Sequence, residues 1–260
     1  MIIEKEPYYH PIAREIETFE QCYANRLPVL LKGPTGTGKS RFIEYMAYRL
    51  GKDLITVTCH EETSSTDLIG RFLIKGSETV WQDGPLTTAV RRGSIIYLDE
   101  IAEARPDILV AIHSLTDYRR VLYMDKLGEE IKAHEDFFLA ASFNPGYQKG
   151  FKELKPSTRQ RFVALSFNYP EAAVETSIIK AETGLENGYA KKLVKIAGKI
   201  RNLTELGLTE TVSTRLLVDA GKLIHTGLSP RLAAEVAIIE PLSDDPDISE
   251  ALKDITTMML

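Results

Sequence analysis

The octapeptide GPTGTGKS at 33–40 has the spacing G-x-x-x-x-G-K-[ST]. It lies between an apolar run, LPVLLK at 27–32, and a helical pattern. Backbone N–H groups of such a turn, with the positive end of the following helix, can surround a phosphate chain. Gly33, Gly36 and Gly38 permit backbone paths that side chains would obstruct, and Pro34, Thr35 and Thr37 complete the loop. Lys39 is spaced to reach the β- and γ-phosphates, and the Ser40 hydroxyl to bind Mg²⁺. A glycine-rich turn without a ligand is the bland alternative, but the strand before it and the helix after it favour the phosphate site.

Three further stretches carry chemistry. SIIYLDE at 94–100 is an apolar strand pattern ending in acid, which puts Asp99 at the carboxyl edge of a sheet, where ligands bind in open α/β folds. Asp99 is expected to hold Mg²⁺ through water and Glu100 to polarise an attacking water as general base. FNPG at 143–146 ends the next strand, so Asn144 falls at the same edge, where it can orient that water; an Asn-Pro turn is the competing reading. KPSTRQRF at 155–162 holds three cations and no acid. Its Arg159 and Arg161 are two positions apart and cannot share a helix face.

These residues need a sheet to bring them together. LPVLLK, LITVTC (54–59), SIIYLD (94–99), FFLAASF (137–143) and FVALSF (162–167) read as strands. Helical patterns alternate with them: RFIEYMAYRLG spaces Phe42, Met46 and Leu50 and stops at Gly51, and PDILVAIHSL (106–115) opens on a proline. The fold class is therefore α/β, a parallel sheet with helices on both faces. Residues 70–86 and 119–134 read as hairpins about Gly76-Ser77 and Leu127-Gly128, inserted into that core. Beyond Pro170 the patterns are amphipathic and helical. This predicts an α/β domain over 1–170 and a helical domain over 171–260.

At 260 residues, 43% apolar and 27% charged, the chain is of ordinary globular composition. A net charge of -5 argues against a general nucleic-acid binder. Two cysteines, Cys22 and Cys59, are too few for a disulfide framework and suit a reducing cytoplasm. No leader-like segment and no apolar run of about 20 residues is present, so no membrane association is expected.

Together the 33–40 loop, Asp99-Glu100, Asn144 and Arg161 before Phe162 resemble the AAA+ ATPases. The two inserts, SSTDLIGRF at 64–72 and VSTRLL at 212–217 are similar to the MoxR group, and the PYYHP opening at 7–11 to its CbbQ/NirQ/NorQ/GvpN set. The resemblance implies ATP as nucleotide and a homo-hexameric ring that remodels a protein target. In CbbQ the partner is CbbO, which carries a von Willebrand factor A domain, and the pair reactivates Rubisco. NorQ-like proteins assist maturation of a metal-containing reductase. Of these the chain looks most like CbbQ, with the NorQ/NirQ role as the alternative and a nucleic-acid-directed motor as a more distant one. The resemblance also implies that Arg161 reaches the γ-phosphate of the neighbouring subunit, with Arg159 as the alternate. Arg215, in STRLL, would contact phosphate from its own subunit, with Arg231 in SPRLA as competitor. Residues 68–72 and 119–134 are implied to contact partners.

Other clusters are weaker. CHEET at 59–63 gathers Cys59, His60, Glu61 and Glu62, but successive residues of an extended segment face opposite ways, which favours a structural role. Lys191, Lys192, Lys195 and Lys199 are expected on the solvated face of a helix whose buried stripe holds Leu193, Val194, Ile196 and Ala197. Tyr8, Tyr9 and Pro11 are candidates to pack near adenine.

Overall fold

The first helix is α1 (Glu15–Ala24), whose first turn is held by Glu15. That carboxylate accepts the N–H groups of Ile12 (2.8 Å) and Ala13 (2.7 Å). The computed structural model describes residues 2–145, 154–203 and 211–260.

Two compact units divide the chain. The first comprises Met1–Pro7, Pro11–Gly33 and Lys39–Phe167; the second comprises Tyr8–His10, Pro34–Gly38 and Asn168–Leu260. In the first, α1 is followed by β1 (Val29–Lys32), α2 (Lys39–Leu50), β2 (Leu54–Thr58), α3 (Ser65–Ile69), β3 (Gly70–Lys75) and β4 (Glu78–Asp83). Then come α4 (Pro85–Arg92), β5 (Ile95–Asp99), a 3-10 turn (Ile101–Glu103), α5 (Pro106–His113), β6 (Val121–Met124), β7 (Glu129–Lys132), β8 (Phe138–Phe143), α6 (Pro156–Arg159) and β9 (Val163–Ser166).

Five strands form a parallel sheet in the order β2-β5-β8-β1-β9. Burial explains their composition. β8 is buried at all six positions and β5 at its first four, the continuous apolar pattern of a sheet covered on both faces. One layer beside the sheet is aromatic: Phe19 of α1 meets Phe42 of α2 edge-on at 5.5 Å, and Phe42 meets Phe167 at 5.4 Å. Another core gathers Leu68, Leu86, Val90, Ile108, Ile112 and Leu122 around β5 and β8.

Both inserts are hairpins. β3 pairs antiparallel with β4 from Gly70↔Asp83 to Lys75↔Glu78, and β6 with β7 from Val121↔Lys132 to Met124↔Glu129. The first ends sooner than the sequence suggests. Pro85 at the start of α4, after Gly84 in extended conformation, turns residues 85–92 into a helix because proline suits a first helical turn. The short α3 is fixed by a capping box in which Asp67 accepts from the Ser64 N–H (3.0 Å) and hydroxyl (2.6 Å).

The second unit is helical among its described residues. It contains α7 (Ala172–Thr183), α8 (Asn187–Arg201), α9 (Thr214–His225), α10 (Pro230–Ala234) running into a π-helical stretch (Glu235–Ile239), and α11 (Pro246–Thr257). On α8 the apolar stripe Leu193, Val194, Ile196, Ala197 and Ile200 is buried, and Lys191, Lys192, Lys195 and Lys199 are exposed. Glu175 of α7 is buried beneath Arg201 of α8, which donates to both of its oxygens at 2.8 and 2.7 Å. Thr214 adds a third donor at 2.6 Å.

Candidate active site

The 33–40 loop leaves β1 and enters α2 at Lys39. A side chain at Gly33 would collide with the carbonyl oxygen of Phe167, so backbone must pass backbone there. Gly36 has φ +72 and no room for a Cβ beside Ser213. Within the loop the Thr37 hydroxyl donates to the Pro34 carbonyl at 2.9 Å, and the Tyr169 hydroxyl to the Thr35 carbonyl at 3.3 Å. Lys39 Nζ donates to the Gly33 carbonyl at 2.7 Å, which folds its ammonium across the loop's own entrance.

The sheet brings the acids beside this loop's exit. Ser40 Oγ, on the first turn of α2, lies 3.2 Å from Asp99 Oδ2 at the end of β5. Asp99 Oδ1 accepts the Tyr97 phenol proton at 2.7 Å and a short bond from the Ser142 hydroxyl. Ser142 Oγ in turn accepts the Glu100 N–H at 3.1 Å, tying β8 to the turn that follows β5. Glu100 itself sits at φ 55, ψ 44, a left-handed conformation uncommon for a non-glycine residue. That turn swings the Glu100 side chain into solvent instead of continuing the strand into the sheet. Asn144 directly follows β8, between β5 and β1 in strand order. Ser40, Asp99, Glu100 and Asn144 thus share one edge of the sheet. Gly146 of the FNPG stretch lies outside the described residues.

Burial also sets the protonation of neighbouring groups. It pushes the Tyr97 phenol well above its usual range, with the Asp99 charge adding to the effect, so Tyr97 stays a neutral donor. Cys59, whose N–H donates to the Asp99 carbonyl at 2.9 Å, is buried, and its thiol is pushed up to about 12 by burial and by the charges of Asp99 and Glu100. It is a core residue and not a nucleophile at neutral pH. His60, Glu61 and Glu62 are exposed, and among the described residues no group of His, Cys, Asp and Glu is arranged to hold a metal on its own.

The two arginines of 155–162 have different surroundings. Arg159, the last residue of α6, is exposed and forms no ion pair among the described residues. Arg161 lies against α5 and the turn after it, where Nη1 donates to the His113 carbonyl at 3.3 Å and stands 3.7 Å from Asp117. Its Nε is buried and has no hydrogen-bond partner among the described residues. Asp117 is mainly occupied by Arg119, at 2.6 Å, and that pairing holds its carboxyl below the usual range. Arg215 is the second residue of α9, exposed, behind a Ser213 cap that accepts the Leu216 N–H at 3.4 Å. Arg231 is likewise exposed, on the one-turn α10.

Sequence reasoning missed Tyr97, Ser142, Tyr169 and the Glu175–Arg201 pair. Tyr97 offered a signal, the lone polar side chain among the buried residues of β5. Ser142 offered little, since a small residue in a buried strand is common.

A parallel five-stranded sheet with a G-x-x-x-x-G-K-S loop and an acid pair on the adjoining strand edge defines a P-loop ATP hydrolase of the AAA+ class. The model of the AAA domain (dynein-related subfamily) matches residues 28–162, and that of the CbbQ/NirQ/NorQ C-terminal domain matches 175–259. Protein CbbQ of Hydrogenophilus thermoluteolus is 56% identical over 97% of this chain and 94% of its own. NorQ of Paracoccus denitrificans is 55% identical over 96% and 92%, and the denitrification regulatory protein NirQ of Pseudomonas aeruginosa 52% over 97% and 97%. Among solved structures, a RuvB variant of Thermotoga maritima superposes with TM-score 0.55 at 14% identity, over 95% of this chain and 73% of that one. A putative ATPase of Cytophaga hutchinsonii gives 0.52 at 14%, over 96% and 90%. At that identity they speak for the fold alone. The chain belongs to the CbbQ/NirQ/NorQ family of MoxR-type AAA+ ATPases.

Proposed function

We propose that this ATPase works as a Mg²⁺-dependent homo-hexameric ring in the cytoplasm, remodelling a protein target through an adaptor with a von Willebrand factor A domain. In this reading residues 1–170 are the nucleotide-binding domain and 171–260 its helical lid. The backbone N–H groups of Gly33, Thr35, Gly36, Thr37 and Gly38 hold the ATP phosphates together with Lys39, while Pro34, which has no N–H, shapes the loop. Ser40 and Asp99 hold Mg²⁺, for which hard oxygen donors 3.2 Å apart are suitable. The cation would neutralise charge on the transferred phosphoryl group. Glu100 activates water, Asn144 orients it, and Arg215 contacts phosphate from the same subunit. Arg161 acts on the neighbour's nucleotide, with Arg159 as the alternate. The observation that carries the reading is the convergence of Ser40, Asp99, Glu100 and Asn144 at one sheet edge. No helix among the described residues is long and apolar enough to cross a membrane.

The target we favour is Rubisco, with a CbbO-like adaptor. The similarity to NorQ, 55% against 56% for CbbQ, supports maturation of a nitric oxide or nitrite reductase almost equally. Two assays separate them. Purified chain, ATP and the cognate adaptor should restore carboxylation by Rubisco blocked with a sugar phosphate; restored reductase assembly without any effect on Rubisco moves the assignment to the second target. ATP turnover should be abolished in Glu100→Gln with nucleotide still bound, and fast hydrolysis by that variant removes Glu100 from its role.

A further inference from the structure

The hydroxyl protons around Asp99 can be counted. An ionised Asp99 only accepts, and Tyr97 and Ser142 both spend their single protons on its Oδ1. The Ser40 proton has two acceptors within reach, Asp99 Oδ2 at 3.2 Å and the Tyr97 oxygen at 3.3 Å. Those alternatives are not equivalent for a cation site. A hydroxyl that ligates a cation must turn a lone pair toward it and its proton away. A carboxylate oxygen that accepts the Ser40 proton has one fewer lone pair to offer the cation or its water.

We propose that Tyr97 is a positioning residue for cation-dependent nucleotide binding: its oxygen takes the Ser40 proton while its own proton stays on Asp99 Oδ1. Ser40 Oγ and Asp99 Oδ2 then both present lone pairs. Tyr97 touches neither nucleotide nor cation in this arrangement; it acts through Ser40 and Asp99. Its ring is locked in the sheet at 1% exposure, so the hydroxyl keeps its place without an entropic cost at each binding event. The inference rests on the reading of Ser40 and Asp99 as the Mg²⁺ site.

The test is binding of a fluorescent ADP analogue, with no turnover involved, to the full chain in EDTA and in rising Mg²⁺. Tyr97→Phe should bind within about twofold of the wild type in EDTA, while its Mg²⁺ half-saturation rises about three- to tenfold, the weight of one net hydrogen bond. In a Ser40→Ala background, where there is no proton to place, Tyr97→Phe should shift it by less than about twofold. A Mg²⁺ titration of Tyr97→Phe that overlays the wild type overturns the inference. So does an equal shift in both backgrounds, or a parallel loss in EDTA, either of which marks a purely structural residue. Wild-type binding that ignores Mg²⁺ instead sinks the underlying cation site. If Tyr97→Phe melts at assay temperature, 3-fluorotyrosine at position 97, a weaker acceptor, should still raise the half-saturation, and an unchanged value overturns the proposal.

Discussion

Two arginine–carboxylate clusters, one in each unit, are built from the same chemistry and differ in how they meet water. In the second unit the Glu175 side chain is 1% exposed and that of Arg201 14%, with two-pronged geometry. Arg201 spends its Nε on the Val212 carbonyl at 2.8 Å and stacks on Tyr169 at 4.0 Å, so all three of its guanidinium nitrogens are engaged. In the first unit Arg161 is 34% exposed and Asp117 21%, their charges are 3.7 Å apart, and Asp117 already has Arg119. The Glu175–Arg201 cluster is a fixed joint, and neither ion can leave without stranding the other in a medium that solvates charge poorly. The Arg161–Asp117 contact is a loose tether, held by one longer ion pair and the His113 carbonyl. An arginine's role is set by what else its donors are doing, which its neighbours in sequence do not reveal.

Substitutions in the two clusters should separate catalysis from stability. Arg161→Ala should have the largest effect, a loss of turnover on the order of 10³-fold or more with little change in melting temperature, read by steady-state ATP hydrolysis. Glu175→Ala should act on stability instead. Leaving Arg201 buried without its partner should cost about 3–5 kcal/mol, a melting-temperature drop of roughly 10 °C or more by calorimetry. Asp117→Asn should leave the melting temperature near that of the wild type, since its ion pairs are open to solvent. If it unfolds the chain as Glu175→Ala does, the two clusters are alike after all.

The smallest effect concerns pH. Burial, reinforced by the Arg161 charge and opposed by Asp117, lowers the pKa of His113 below its ordinary value. On acidification the unfolded chain therefore takes up this proton first. The stabilisation is complete above about pH 6.5 and is lost as pH falls through the folded value. His113→Asn should flatten the stability profile in that window. The carboxylates held below their usual range, Asp117 and Asp67 among them, lose their contribution only at lower pH, below about 4.

Much of the fold was legible because burial on both faces writes itself as unbroken apolar runs. LITVTC and FFLAASF became β2 and β8 to within a residue or two. The residues at the strand ends were legible for a related reason: Asp99 and Asn144 interrupt such runs where the chain leaves the sheet. What stayed hidden depends on distant partners. Ser142 bonds to Asp99 and Glu100 across 43 and 42 positions, and Glu175 meets Arg201 and Thr214 from two other helices. Neither relation has a periodicity or a local spacing that a reader of the chain could find. KPSTRQRF was half legible. Its excess of positive charge was plain, but the contacts of Arg161 with His113 and Asp117 lie more than forty residues away.

Service of one subunit's nucleotide by its neighbour's Arg161 is the proposal on which the mechanism turns. It is tested most directly by mixing Arg161→Ala with Glu100→Gln, each inactive alone, and measuring ATP hydrolysis. Mixed assemblies should regain partial activity, because an Arg161→Ala subunit with its own Glu100 sits beside an intact arginine. No recovery at any mixing ratio contradicts the account. Normal hydrolysis by Arg161→Ala alone, with Arg159→Ala showing the complementation, would hand the role to Arg159.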